Sequence, residues 1–203
     1  ATPEELLRKV AAGSAVIPKN RLHTFDARAI GSGLSTKINA NIGTSASHFV
    51  LSEELEKLQA AIEAGADAVM DLSTGGDIDA ILSEMVSRAP VMIGTVPIYR
   101  SVGRLFVAGR SCGDLKVEDL FTDIEHQARL GVDFMTVHCG ITQQTLAVLK
   151  GSGRVMGMVS RGGSLMAEWM ALNRSENPLF QHYDRLLEIA RAFDVTLSLG
   201  DGL

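Results

Sequence analysis

The chain has 203 residues, 46% apolar and 21% charged, with a net charge of −5; this excludes general disorder and allows one folded core without disulfides. No Lys/Arg cluster exists to track a phosphate backbone, so sequence-independent nucleic-acid binding is excluded, and no apolar run approaches the roughly 20 residues of a membrane helix. Cys112 and Cys139 stand too far apart in sequence for a CxxC pair, and Ala1-Thr2-Pro3-Glu4-Glu5 lacks a signal-peptide core, a pattern that points to a reducing, cytoplasmic compartment.

Residues 1–35 read as an irregular lead-in carrying His23. Six strand-like runs follow: Thr36 to Ile42, Ala68 to Leu72, Val91 to Val96, Phe134 to His138, Val155 to Val159 and Val195 to Leu199. Most are almost continuously apolar, as strands buried on both faces of a parallel sheet are. Helical stripes separate them. Leu51, Leu55, Leu58 and Ile62 share one face, with Ser52 expected as N-cap and Gly65 as the stop. Ile78, Ile81, Leu82 and Met85 form a second stripe after Asp77, and Leu120, Ile124 and Ala128 a third, ending at Gly131. Leu146, Val148 and Leu149 mark a shorter helix, Leu165, Met166, Trp169 and Met170 another, and Leu186, Leu187, Ile189 and Ala190 the last, with Pro178 near its start.

One phrase repeats where helix gives way to strand. Gly65-Ala66-Asp67-Ala68 matches Gly131-Val132-Asp133-Phe134, and Phe193-Asp194-Val195-Thr196 is a weaker copy. A reused junction implies a repeated βα unit and hence an α/β fold with a parallel sheet. Nearly every strand ends in polar or glycine-rich residues: Asn41 to Gly43, Asp71 to Thr74, Pro97 to Tyr99, His138 to Gly140, Ser160 to Gly163 and Gly200 to Gly202. Ligand groups at six strand ends favour a (β/α)8 TIM-type barrel over a doubly wound sheet, which gathers them at one switch point. Six strands of eight make an incomplete barrel. The expectation is therefore that residues 36–203 are the first six βα units of a longer chain, and that alone they expose unpaired strand edges.

Several residues at these edges are chemically capable. Ser160-Arg161-Gly162-Gly163-Ser164 precedes a helix, so its amides and arginine suit an anion; a tight turn with a surface arginine is the plainer reading. His138 is either a ligand contact or a structural histidine bonded to a carbonyl. Asp71 is an acid, a base or the cap of the helix near Asp77. His48, His126 and His182 read as solvent-facing, and Cys112 as an ordinary thiol. No H-x-x-x-H or H-E-x-x-H spacing occurs, so no metal site is expected within the chain.

Six blocks taken together resemble the phosphomethylpyrimidine synthase (ThiC) family. They are Lys37 to Ser45, Ala68 to Gly75, Gly94 to Tyr99, Val137 to Gly140, Val159 to Ser164 and Asp194 to Leu203. The resemblance implies a cytoplasmic, homodimeric radical S-adenosylmethionine lyase on a (β/α)8 barrel. Its substrate would be 5-aminoimidazole ribonucleotide and its product hydroxymethylpyrimidine phosphate, for thiamine biosynthesis. The implied substrate contacts are Asn41, Met70, Tyr99, His138, Ser160, Arg161, Gly162, Asp201, Gly202 and Leu203. The implied cofactors are a [4Fe–4S] cluster, S-adenosylmethionine and a divalent metal, zinc or iron. In the family the cluster cysteines and metal histidines lie C-terminal to the stretch matched here, so the matched stretch alone would be inactive. Two other outcomes stay open: a 5-hydroxybenzimidazole synthase acting on the same substrate, and a non-catalytic nucleotide-binding remnant.

Overall fold

A computed structural model describes residues 1–200 and 202–203. The elements run α1 (Pro3–Ala11), β1 (Ala15–Val16), β2 (Ile30–Gly31), β3 (Asn39–Ile42), α2 (Leu51–Glu63), β4 (Ala68–Asp71), α3 (Ile78–Arg88), β5 (Met92–Thr95), α4 (Pro97–Val107), a 3-10 turn (Cys112–Asp114), α5 (Val117–Arg129), β6 (Phe134–Val137), α6 (Gln143–Gly151), α7 (Arg161–Asn173), α8 (Pro178–Gln181), α9 (Tyr183–Phe193) and β7 (Thr196–Leu199). Strands β3 to β7 form one parallel sheet in sequential order. Among the described strands the order does not reverse, so the switch point that marks a doubly wound sheet does not occur within β3 to β7. The lead-in adds a helix and a two-stranded antiparallel ladder of β1 with β2.

Period-two alternation sorts the strand residues. Val69, Ile93, Met135 and Val137 join the main core with Leu82, Met85, Leu120, Phe121 and Ile124 of the helices. Ala68, Met92 and Phe134 face the other way and pack with Phe25 of the lead-in. Register then places Asn41, Met70, Gly94, Thr136 and Ser198 on that second face, because each lies two residues on from, or directly beside, a member of the set. Gly94 is required there: a Cβ would lie 2.7 Å from Phe134 Cε1 and closer still to Cζ and Cε2.

The repeated Gly-x-Asp junction has a definite function. Gly65 and Gly131 adopt φ of +88° and +99° to leave their helices. Asp67 and Asp133 then clasp the preceding strand. The Asp67 amide donates to the Ile38 carbonyl at 2.8 Å, and the Ile38 amide donates back to the Asp67 carboxylate at 2.9 Å. Asp133 repeats both bonds with Ile93, at 2.8 and 2.7 Å. Its carboxylate also takes the Asn20 amide and the His23 ring, both at 2.8 Å, tying the lead-in to the sheet.

Three local expectations need correction. The run Val155 to Val159 is not a strand: Val155 is 98% exposed, Met156 71% and Val159 59%, and Gly157 breaks the extended backbone with φ of +56°. The sheet therefore has five strands, with β6 paired directly to β7. Helix α2 starts at Leu51 with Val50 in the cap position, so Ser52 is inside the helix and caps nothing. Asp77, not Asp71, caps α3, accepting the Ala80 amide at 3.1 Å.

Candidate functional site at the strand carboxyl ends

Six of the expected contact residues, Tyr99, His138, Ser160, Arg161, Gly162 and Gly202, come together through direct packing. Helix α7 begins with Ser160 as N-cap, its Oγ accepting the Gly163 amide at 3.1 Å. That bond uses Oγ as an acceptor and leaves the hydroxyl proton free to donate. Arg161 is exposed, and its guanidinium lies 4.9 Å from the centre of the Tyr99 ring, a cation–π contact. Gly162 is buried on the His138 imidazole: a Cβ there would lie 2.5 Å from Nε2 and closer to Cε1. Gly163 packs the same way on the backbone of Gly202, and Gly202 in turn on the Ile141 side chain. The glycines of this turn thus let a helix N-terminus press onto two strand ends, where any side chain would hold it away.

Burial shapes the electrostatics. Burial lowers the His138 pKa from its ordinary value, so the imidazole is neutral at pH 7. Burial pushes the Tyr99 phenol up, opposed by the Arg161 charge and the Gly162 backbone. At the end of β4, Asp71 is pushed up to about 6, chiefly by burial and further by the charge of Glu54, against the hydrogen bonds from Ser73. Its carboxylate accepts the Ser73 amide at 2.9 Å, and Ser73 Oγ accepts the Thr44 amide at 3.0 Å. Asp71 therefore braces the loop after β4 instead of facing a ligand. That loop brings Thr74 to a cavity of about 190 Å³ shared with Tyr99, Arg161, Phe106 and Leu165.

Of the remaining expected contacts, Asn41 and Met70 lie on β3 and β4, at the opposite side of the sheet from β7. Asn41 is exposed and accepts Asn39 Nδ2 at 2.8 Å; Met70 is its half-buried register partner. They stand side by side on β3 and β4, on the flank away from β6, and Met70 also packs against the main core. Leu203 is half-buried against the main core. Asp201 lies outside the described residues.

Among the described residues, no group of three or more His, Cys, Asp or Glu side chains converges on a metal position. Cys112 is fully buried, its thiol pushed up to about 11 by burial, and donates to the Leu165 carbonyl at 3.3 Å. Burial pushes the Cys139 thiol up as well. Both environments favour the protonated thiol, whereas a cluster ligand is a thiolate, so the described residues do not fit an iron–sulfur cluster or a divalent metal. Of the histidines read as solvent-facing, His48 and His182 are exposed and His126 is partly covered, 3.2 Å from Asp79.

Two buried polar residues escaped the sequence reading. His23, in the lead-in, places Nδ1 2.8 Å from Asp133 and Nε2 2.9 Å from the Ala89 carbonyl. Asn177, fully buried, serves the turn that carries His138. Both act across dozens of residues, and the only local signal is an Asn before Pro178, which marks a helix start without saying what it holds.

No helix among the described residues is long and apolar enough to cross a membrane. Residues 1–203 match the model of the radical SAM ThiC family. The chain is 53% identical over 201 residues to a phosphomethylpyrimidine synthase of Moorella thermoacetica, covering 98% of this chain and 46% of that protein. It is 51% identical over 203 residues to one of Desulfitobacterium hafniense and 49% identical over 203 to one of Syntrophus aciditrophicus, covering 47% and 48% of those proteins. The chain thus spans about half the length of the curated relatives it matches, and it belongs to the radical SAM ThiC family.

Proposed function

We propose that this chain forms the substrate-binding part of a phosphomethylpyrimidine synthase, acting on 5-aminoimidazole ribonucleotide. The observation that carries the reading is the packing of Gly162 on His138, which sets the N-terminus of α7 beside a neutral imidazole at the strand ends. Free amides at a helix start, with the Ser160 hydroxyl and the Arg161 guanidinium, make a phosphate site. His138 and Tyr99 border it and suit the imidazole and ribose. Asn41 and Met70 reach the ligand from β3 and β4, and Asp201, Gly202 and Leu203 from beyond β7. The sequential parallel order supports a (β/α)8 barrel whose first five strands are present, with residues 1–35 as its lead-in.

The cluster, S-adenosylmethionine and divalent metal of the family would be held by residues other than those described, and the role assigned to this chain is binding and orientation. The names of the relatives support the pyrimidine product over 5-hydroxybenzimidazole. A cytoplasmic homodimer completes the proposal. Product analysis tests it: the full-length reconstituted enzyme, given aminoimidazole ribonucleotide and S-adenosylmethionine, should release hydroxymethylpyrimidine phosphate. Release of 5-hydroxybenzimidazole would reassign the product, and nucleotide binding without turnover would mark a binding remnant.

A further inference from the structure

We propose that Asn177 is a positioning residue that fixes His138 for nucleotide binding by clasping the turn between β6 and α6. The proposal rests on the reading of His138 as a ligand contact. The turn itself cannot satisfy its own backbone. The Ile141 amide reaches the His138 carbonyl at a long 3.3 Å, and both the His138 and Ile141 carbonyls point into the protein. Asn177 Nδ2 donates to both, at 2.8 Å each. Its Oδ1 accepts the Leu179 amide at 2.9 Å, capping α8. With two donors and one acceptor engaged and no solvent exposure, the amide is a three-way tie.

Neighbouring residues reinforce it. The Glu176 carboxylate accepts the Gln143 amide at the start of α6, at 3.1 and 3.2 Å, and the Asn177 amide at 2.8 Å. Gln143 Nε2 donates to the Ser175 carbonyl at 3.0 Å. The segment 175–177 thus grips both ends of the turn after β6. The turn supports the site on two sides: the His138 ring receives Gly162, and the Ile141 side chain receives Gly202. Release of the two carbonyls would let His138 tilt out from under α7 and would open the floor below Gly202.

The residue type is specific. Aspartate keeps the size and the cap on α8 but turns a carboxylate oxygen toward two carbonyls. Serine keeps a capping oxygen but cannot span both carbonyls. Asn177→Asp and Asn177→Ser therefore separate the clasp from the cap. Leu179→Ala is the control: it removes a buried side chain beside the cap without touching the turn.

The test is made on the full-length protein. The His138 imidazole is titrated by NMR without ligand, and aminoimidazole ribonucleotide binding is measured by calorimetry. In Asn177→Asp and Asn177→Ser the His138 titration should move up toward the ordinary imidazole value, as the ring gains water, and the nucleotide Kd should rise about tenfold. Leu179→Ala should lower the unfolding midpoint and leave both readings in place. Should the Asn177 variants fail to fold, Glu176→Gln loosens the same segment from its exposed side and should move both readings in the same direction by less. Unchanged His138 titration in the folded variants, or an equal shift in Leu179→Ala, would overturn the proposal. A moved titration with unchanged Kd would uphold the clasp and overturn His138 as a ligand contact.

Discussion

Gly162 of α7 lies so close to the His138 ring that no side chain fits between them; even a methyl group would approach Nε2 to 2.5 Å and Cε1 more closely. The contact joins a helix start to a strand end 24 residues earlier in the chain, and it sets where the amides of α7 point. Gly162→Ala should cost about 1–3 kcal/mol of folding stability, because the ring or the helix must shift in a packed site. Urea unfolding measures it; a cost below about 0.5 kcal/mol, the range of surface substitutions, would show that the two elements do not meet.

The Asp71 carboxyl carries a pH dependence of defined sign. Its folded pKa, about 6, lies above the value of 3.8 expected when unfolded. Its contribution to stability is therefore fully present below pH 3.8 and lost as pH rises through about 6. Asp71→Asn keeps the acceptor for the Ser73 amide and removes the charge. Its stability relative to the wild type should improve steadily between pH 4 and pH 7, by about 1–3 kcal/mol. A difference that stays constant over this range, measured by denaturant unfolding, would contradict the assignment.

The two Gly-x-Asp junctions should not be equally costly to break. Asp133 is inaccessible and accepts the Asn20 and Ile93 amides and the His23 ring. Asp133→Ala should cost about 3–5 kcal/mol, because it strands buried partners. Asp67 is more accessible and pairs with the exposed Arg28, so Asp67→Ala should cost about 1 kcal/mol. Equal losses in chemical denaturation would refute the distinction.

The segment around Val155 offers a third comparison. It is exposed and outside the sheet, so Val155→Ser and Met156→Ser should each change stability by less than about 0.5 kcal/mol. Losses of about 2–4 kcal/mol, typical of emptied core positions, would place the segment in the sheet.

Where local pattern determines structure, the sequence was readable. The runs at Ala68, Met92, Phe134 and Thr196 are strands whose alternate residues face opposite ways, Val69, Ile93 and Met135 into the main core and Ala68, Met92 and Phe134 toward Phe25. The glycine stops at Gly65 and Gly131 required left-handed backbone and have it. The run at Val155 misled because apolar composition alone does not distinguish a buried strand from an exposed loop, and Gly157 breaks it. Helix α4 was hidden because Pro97 reads equally as a strand end and as the first residue of a helix. Tyr99, His138, Arg161 and Gly162, expected as contacts from the family resemblance and from their place at strand ends, pack together in the structure. His23 and Asn177 were not legible in the sequence, since the partners that define their roles lie 36 to 110 residues away and only the Asn177 cap on Leu179 is local.

The start of α7 and His138 are proposed to bind a phosphorylated imidazole nucleotide together. Calorimetric titration of the full-length protein with 5-aminoimidazole ribonucleotide tests it most directly, comparing wild type with Gly162→Val. Wild type should bind saturably, and the variant should show a Kd raised at least about tenfold, as buried hydrogen bonds to the phosphate are lost. Equal Kd values in the two folded proteins would contradict it.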